Sequence, residues 1–338
     1  MNAHEAMLYE KLPDSTVHCA LCSHRCRIKP DKRGICGVRE NRGGVLYTLV
    51  YGKLIAENID PIEKKPLFHV YPASKSFSIA TVGCNFRCEF CQNYDISQLP
   101  HESGEIAGRF TSPEVIVERA LRSGSRTIAY TYTEPTIYFE YAFDISRLAH
   151  DDGIRNVFVT NGFMTGEMLE TAAPYLDAAN VDLKAFTDDF YRKQCGARLE
   201  PVLEAIRKMK ALGVWVEITT LLIPTLNDGE DELRKIAGFI SEVGIETPWH
   251  ISRFYPQYHR TDLPPTDIKS IHMAERIGKE AGLKYVYCGN VPGDQGETTF
   301  CANCEETLIQ RIGYTITGNK LQGSACPRCH TTLDGIFQ

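Results

Sequence analysis

The chain of 338 residues has no run of about 18 apolar residues, the length a helix needs to cross a bilayer. Its start, MNAHEAMLYEKLPD, has no basic stretch leading into an apolar core, so no secretory leader is read there. Positive charge is not in excess either. Thirty-seven Lys and Arg stand against 43 Asp and Glu, a formal net charge of −6. That balance gives no overall attraction to nucleic acid or acidic lipid. These absences argue against a membrane protein and a general nucleic-acid binder. Hydrophobic residues make up 43% and charged residues 24%, as in ordinary globular proteins. The length suits one large domain with small modules.

Cysteine is what the chain has in quantity: thirteen. Without a leader, they point to metal or redox chemistry in a cytoplasmic protein rather than to a disulfide framework. Cys19, Cys22, Cys26 and Cys36 form one set, Cys84, Cys88 and Cys91 a second, and Cys301, Cys304, Cys326 and Cys329 a third. Cys195 and Cys288 stand alone.

The first set sits in a polar segment, residues 1–43, which buries too little to hold its shape without a metal. Residues 44–75 read as two strands around Tyr51-Gly52 and a Pro-rich connection. "EKKP", with Lys64 and Lys65, reads as a solvated turn. From residue 76 to 295 strands and helices alternate. "FSIATVG", "TIAYTYTE", "NVFVTNG", "ANVDLKAF", "VWVEITTLLIP", "WHISRFYP" and "YVYCGN" read as strands, with capped helical stretches between them. This alternation predicts an α/β fold with a parallel sheet, a partial (β/α) barrel of six units, whose chemistry sits at the C-terminal strand ends. Residues 296–338 read as a small module of their own.

In that module "CANC" and "CPRC" bracket residues 305–325. Two such knuckles give four thiolates and a closed site, as in a zinc ribbon, with a single iron as the alternative. The N-terminal four fit either zinc or an auxiliary iron–sulfur cluster. The C-x3-C-x2-C loop of Cys84, Cys88 and Cys91 offers three thiolates. It fits a four-iron cluster with one open iron, or a three-ligand zinc site.

"CNFRCEFC" resembles the signature of the radical S-adenosylmethionine (SAM) enzymes, with Phe90 as its aromatic residue. "TYTEP", residues 131–135, stands where that family has a Gly-Gly-Glu-type motif. "VTNG" and "VDLK" resemble strand-end motifs of pyruvate formate-lyase activating enzymes. "DPIEKKPLFHVYP", "CEFCQN", "HISRFYPQY" and the terminal CxxC pairs are similar to the radical SAM member of the AmmeMemoRadiSam system. The resemblance implies a [4Fe-4S] cluster on the three cysteines, SAM on the open iron, and hydrogen abstraction from a protein glycine or a small molecule.

It also implies site residues. Glu134 and Thr133 are placed at the SAM ammonium, and Asn93 near the cluster or adenine. Thr160, Asn161, Asp182 and Lys184 are expected at strand ends facing SAM or substrate. His250 and Arg253 are three apart, so a regular strand turns only one inward. His250 reads as a satisfied core residue, which leaves Arg253 or Tyr255 for the ligand. Cys288, at a strand end, is a candidate radical-relay thiol. Partners implied are a reductant such as flavodoxin or ferredoxin, and a protein substrate or the other members of that system. The alternatives are a zinc-ribbon binding or scaffold protein and an iron–sulfur electron carrier.

Overall fold

The computed structural model describes residues 4–291 and 293–337. Its centre is an eight-stranded sheet: β1 (Ala56–Pro61), β2 (Lys75–Ala80), β3 (Thr127–Tyr130), β4 (Arg155–Thr160), β5 (Ala178–Asp182), β6 (Trp215–Leu222), β7 (Trp249–Arg253) and β8 (Val286–Gly289). Strands β2 to β8 lie side by side in chain order and all run parallel, and β1 pairs antiparallel to β2 at one edge. Each parallel step returns through a helix: α1 (Pro113–Ser123), α2 (Phe139–Asp151), α3 (Gly166–Ala172), α4 (Glu200–Ala211), α5 (Glu230–Val243) and α6 (Ile268–Glu280). This is a (β/α)6 arrangement with a seventh parallel strand. The sheet is an open, partial barrel with β1 and β8 as its edges.

The sequence explains the elements. Pro113 opens α1, Gly124 closes it in the left-handed conformation, and Ile116, Val117 and Ala120 form its buried stripe. Thr165 and Asp267 cap α3 and α6 through their side chains. Strands β3 and β5 are almost wholly buried, since the sheet is covered on both faces.

The N-terminal segment forms a small β layer against this sheet. Arg39–Arg42 and Val45–Thr48 make a hairpin around Gly43-Gly44, both with positive φ. The strands expected at 45–50 and 53–59 therefore form but do not pair with each other. Val45–Thr48 is taken by Arg39–Arg42, Lys53–Leu54 by Arg109–Phe110, and β1 by β2. Gly83, just after β2, has φ 102°. A Cβ there would meet Val38 Cγ1 at 2.7 Å and the Cys36 carbonyl at 3.3 Å, so glycine lets this layer touch the barrel.

Residues 62–71 do not skirt the surface. Ile62, Leu67 and Val70 are fully buried and cluster with Ala129, Val157 and Ala178 on the sheet. Glu217, in β6, accepts hydrogen bonds from the backbone N–H groups of Phe68 (3.0 Å) and His69 (2.8 Å). Lys65 is buried in an ion pair with Asp60 at 2.6 Å, which corrects the solvated-turn reading for that residue. Three strands follow β8: Thr299–Phe300, Thr307–Ile312 and Thr315–Asn319, in one antiparallel sheet. Arg311 from this sheet is buried over the Phe68 ring, donating to the carbonyls of Phe68 (2.9 Å) and Glu297 (3.1 Å) and to Thr299 Oγ1 (2.7 Å).

Candidate active site

A cavity of about 500 Å³ opens at the C-terminal ends of β2 to β8. Cys84, Cys88 and Cys91 line one end of it, on the loop that leaves β2. Residues expected at the site from sequence gather on the other walls: Phe90, Asn93, Thr133, Glu134, Thr160, Asn161, Asp182 and Lys184. Parallel strands with right-handed helical returns put every loop after a strand on the same side, so distant sequence converges there.

The polar groups are already interlocked. Glu134 is buried. Its Oε1 accepts from Thr136 Oγ1 (2.6 Å), Thr160 Oγ1 (2.7 Å) and Thr136 N (3.1 Å), and its Oε2 from Asn161 N (2.8 Å). The carboxylate thus caps the turn at Pro135–Tyr138 and ties the end of β3 to that of β4. Burial pushes its pKa up against these donors. With one bond, Oε2 retains accepting capacity. Asn161 Nδ2 donates to Asn85 Oδ1 at 2.7 Å, and Asn93 Nδ2 to the Tyr132 carbonyl at 2.8 Å. Thr133 gives its hydroxyl proton to the Thr81 carbonyl at 2.8 Å. Tyr132 holds φ 62°, a region that favours glycine. Its hydroxyl donates to Asp60, which helps to fix it there.

Asp182 and Lys184 share one face, as period 2 dictates, and pair at 2.8 Å. Burial would lower the Lys184 pKa, but Asp182 and the Cys88 and Cys195 sulfurs outweigh it and hold the ammonium charged. The thiols differ. The Cys195 thiol, against burial and with help from Lys184, holds Cys88 below the ordinary thiol value. Burial pushes Cys84 and Cys91 up. Cys195 is fully buried and sits behind Cys88, outside the cavity lining. Sequence reasoning gave it no place.

Two expectations fail on strand parity. Cys288 does not line the cavity. It faces α6, where a Cβ on Gly296 would meet its Cβ at 2.6 Å, and burial raises its pKa with Glu275 the next contributor. Its neighbours Tyr287 and Gly289 face inward instead. Arg253 also points away. Its guanidinium donates to the Thr266 carbonyl (2.8 Å) and the Tyr255 hydroxyl (3.2 Å), and neither Arg253 nor Tyr255 lines the cavity. His250 and Ser252 hold the inward positions on β7. His250 Nε2 lies 2.7 Å from Glu217 Oε2, so it is both satisfied and at the cavity wall. The signal for this pair was a charged residue inside an apolar strand, Glu217 in "VWVEITT".

Among the described residues, only Cys301, Cys304, Cys326 and Cys329 bring three or more possible ligand atoms within 4.8 Å of one another. Their sulfurs pair at 3.5 and 3.7 Å. Tetrahedral zinc at about 2.3 Å per bond needs sulfurs about 3.8 Å apart, so this set has the spacing of a single-ion site. The sulfurs of Cys84, Cys88 and Cys91 do not gather so closely. Three thiols spread over one cavity end fit the corners of a cluster better than one ion.

Residues 78–239 match the radical SAM superfamily. A protein of Methanocaldococcus jannaschii, itself uncharacterized, is 49% identical over 336 residues, 98% of this chain and 99% of its own length. Over residues 78–239 the chain belongs to the radical SAM superfamily. It is thus a radical SAM enzyme, and membership implies a [4Fe-4S] cluster and SAM. Among other relatives, a putative glycyl-radical enzyme activating enzyme of M. jannaschii is 26% identical over 219 residues, 63% of this chain and 79% of that one. The pyruvate formate-lyase-activating enzyme of Clostridium pasteurianum is 26% identical over 168 residues, 48% and 67% of the two chains. A solved radical SAM methyltransferase from Sphaerobacter thermophilus shares the fold at a TM-score of 0.51 and 18% identity, covering 67% of this chain and 71% of that one. No helix among the described residues is long and apolar enough to cross a membrane.

Proposed function

We propose that Cys84, Cys88 and Cys91 hold a site-differentiated [4Fe-4S] cluster and that the cavity beside them binds SAM. The observation that carries this reading is the cavity itself: three thiols at one end, and a buried carboxylate, Glu134, with the Asp182–Lys184 pair on the other walls. When bound, the two groups supply reductive cleavage of SAM to methionine and a 5′-deoxyadenosyl radical, which takes hydrogen from a substrate.

The chain's own residues bind and orient. Glu134 Oε2 accepts from the SAM ammonium, a charge-assisted bond in a dry site. Lys184, held charged by Asp182, offsets the SAM carboxylate. Thr160 and Asn161, fixed by Glu134, set the walls of the ligand pocket, and Asn93 and Phe90 hold the side nearest the cluster loop. Phe68, His250 and Tyr287 form the inner end of the cavity and exclude water.

The substrate is a protein glycine, as the names of the activating-enzyme relatives suggest, or a small molecule handled with AmmeMemoRadiSam partner proteins. The electron comes from a carrier of the flavodoxin or ferredoxin class, for which Arg25, Arg27, Lys29 and Lys32 offer an exposed basic edge beside the N-terminal cysteines. All thirteen cysteines are free, which supports a cytoplasmic setting. Zinc is the proposed occupant of the C-terminal four-sulfur site.

The test is anaerobic reconstitution with iron and sulfide, then dithionite and SAM, with chromatography for 5′-deoxyadenosine. Brown protein that forms this product supports the reading. Colourless protein, or brown protein that leaves SAM intact, overturns it.

A further inference from the structure

We propose that Cys19, Cys22, Cys26 and Cys36 hold a second four-iron cluster, and that it passes electrons to the one at Cys84, Cys88 and Cys91. Of the two occupants the sequence allows, iron–sulfur or zinc, the structure favours the first on three grounds.

The four cysteines line one small enclosed cavity with Ile28, Arg39 and Ile137, so they serve one site. Yet no three of their sulfurs come within 4.8 Å of one another, in contrast to the C-terminal set. A cubane bonds each thiolate to a different iron and so needs them spread; a single ion needs them gathered. The spread is built in. Cys19 lies in a strand paired to Tyr9, Cys22 bridges to Met164 beyond β4, and the Cys36 carbonyl lies against Gly83.

Arg39 is the second ground. It is 1% exposed, and its Nε and Nη1 have no hydrogen-bond partner. Its Nη2 alone is engaged, with the Met7 carbonyl at 2.5 Å and Glu140 at 3.0 Å. A guanidinium left with unpaired donors in a buried cavity of four thiols lacks its acceptor. The sulfurs of an anionic cluster are that acceptor, and hydrogen bonds donated to them ease reduction.

The third ground is the path. His24, between Cys22 and Cys26, has its Nε2 2.8 Å from the Asn85 carbonyl, and Asn85 follows Cys84. This hydrogen bond links the segments that carry the two sets. In the relay, one electron from a low-potential carrier reduces one iron of the N-terminal cluster from ferric to ferrous. The same electron then reduces the second cluster, and the first returns to its starting state with no bond or proton change. The relay rests on the reading of Cys84, Cys88 and Cys91 given above; the occupancy of the N-terminal site does not.

The test counts metals on the full chain, reconstituted anaerobically. The expected result is about eight irons per chain and about one zinc. About four irons with two zincs overturns the proposal whatever SAM does. Eight irons without SAM cleavage leaves the second cluster standing and refutes only the reading of the active site. Replacing Cys22→Ala with Cys36→Ala removes about four irons and simplifies the electron paramagnetic resonance of the reduced protein to one cluster that still shifts on adding SAM. In that variant, formation of 5′-deoxyadenosine driven by reduced flavodoxin slows by about tenfold or more. An unchanged rate overturns the relay. Should the double variant not fold, Arg39→Gln on the intact cysteines lowers the reduction potential of one cluster and leaves the other; two unmoved potentials overturn the placement of the second cluster beside Arg39.

Discussion

The C-terminal cysteines and the two sets against the barrel use nearly the same short spacings and arrive at different geometries. Cys301, Cys304, Cys326 and Cys329 sit on two tight knuckles that face each other, and nothing but their own sheet holds them apart, so the sulfurs gather to 3.5 and 3.7 Å. Cys84, Cys88 and Cys91 leave a buried strand and are braced from behind by Cys195. Cys19, Cys22, Cys26 and Cys36 are mounted on separate strands and turns fixed to the barrel. A CxxC spacing therefore says that sulfurs are near, while the scaffold decides whether they are near enough for one ion.

The contrast is broken or sharpened first at the catalytic loop. Cys84→Ala with Cys88→Ala is expected to drop 5′-deoxyadenosine below detection and to remove about four irons, with zinc unchanged. Loss of zinc alone would reverse the assignments of the two regions. Next in size is Cys301→Ser with Cys304→Ser. This variant should lose zinc and fall in melting midpoint by on the order of 10 °C, since Arg311 of the same module anchors the buried segment at Phe68. The broad absorption near about 400 nm from iron–sulfur charge transfer should persist. If it vanishes, the two regions share a site.

The junction of the two regions gives a pH effect. His69 is fully buried, with Nδ1 2.6 Å from the Asp334 carbonyl and Nε2 2.7 Å from the Tyr287 hydroxyl. The carbonyl accepts only, so Nδ1 carries the proton and Nε2 accepts from Tyr287. Burial holds the His69 pKa down, to about 4. The unfolded chain takes up that proton near about 6.5, so the contribution is complete above this pH and is lost as pH falls toward 4. The loss is on the order of 3 kcal/mol. Urea midpoints at pH 7 and 4.5 should show it, and His69→Gln should flatten the slope. The same slope in both proteins would place the effect elsewhere. The smallest effect is expected from Cys195→Ala, which should leave iron content unchanged. Loss of iron would make Cys195 a fourth ligand and close the open position on which SAM binding depends.

Much of this was legible in the chain. Seven strands and six helices fall where apolar periodicity, caps and glycines placed them, because each parallel strand is buried on both faces and each helix on one. Glu134, Asn161, Asp182 and Lys184 line the cavity, where their places at strand ends and the resemblance of their motifs had put them. Cys288 and Arg253 were misplaced for one reason: a strand end offers two faces, and the phase of the pleat is set by what packs behind it. Tyr287 and His250 took the inward positions because α6 covers Cys288 and Thr266 draws off Arg253.

By itself the sequence determined a (β/α) frame with three close thiols and polar groups at its strand ends, local or periodic features that survive without coordinates, and the kind of chemistry was read from the resemblance that CNFRCEFC carries. Only the tertiary structure decided how far apart the remaining thiols stand, that Cys195 backs Cys88, and that Lys65, Phe68 and Arg311 are interior. Those facts depend on contacts between residues tens to hundreds of positions apart, and no local pattern encodes a distance between them.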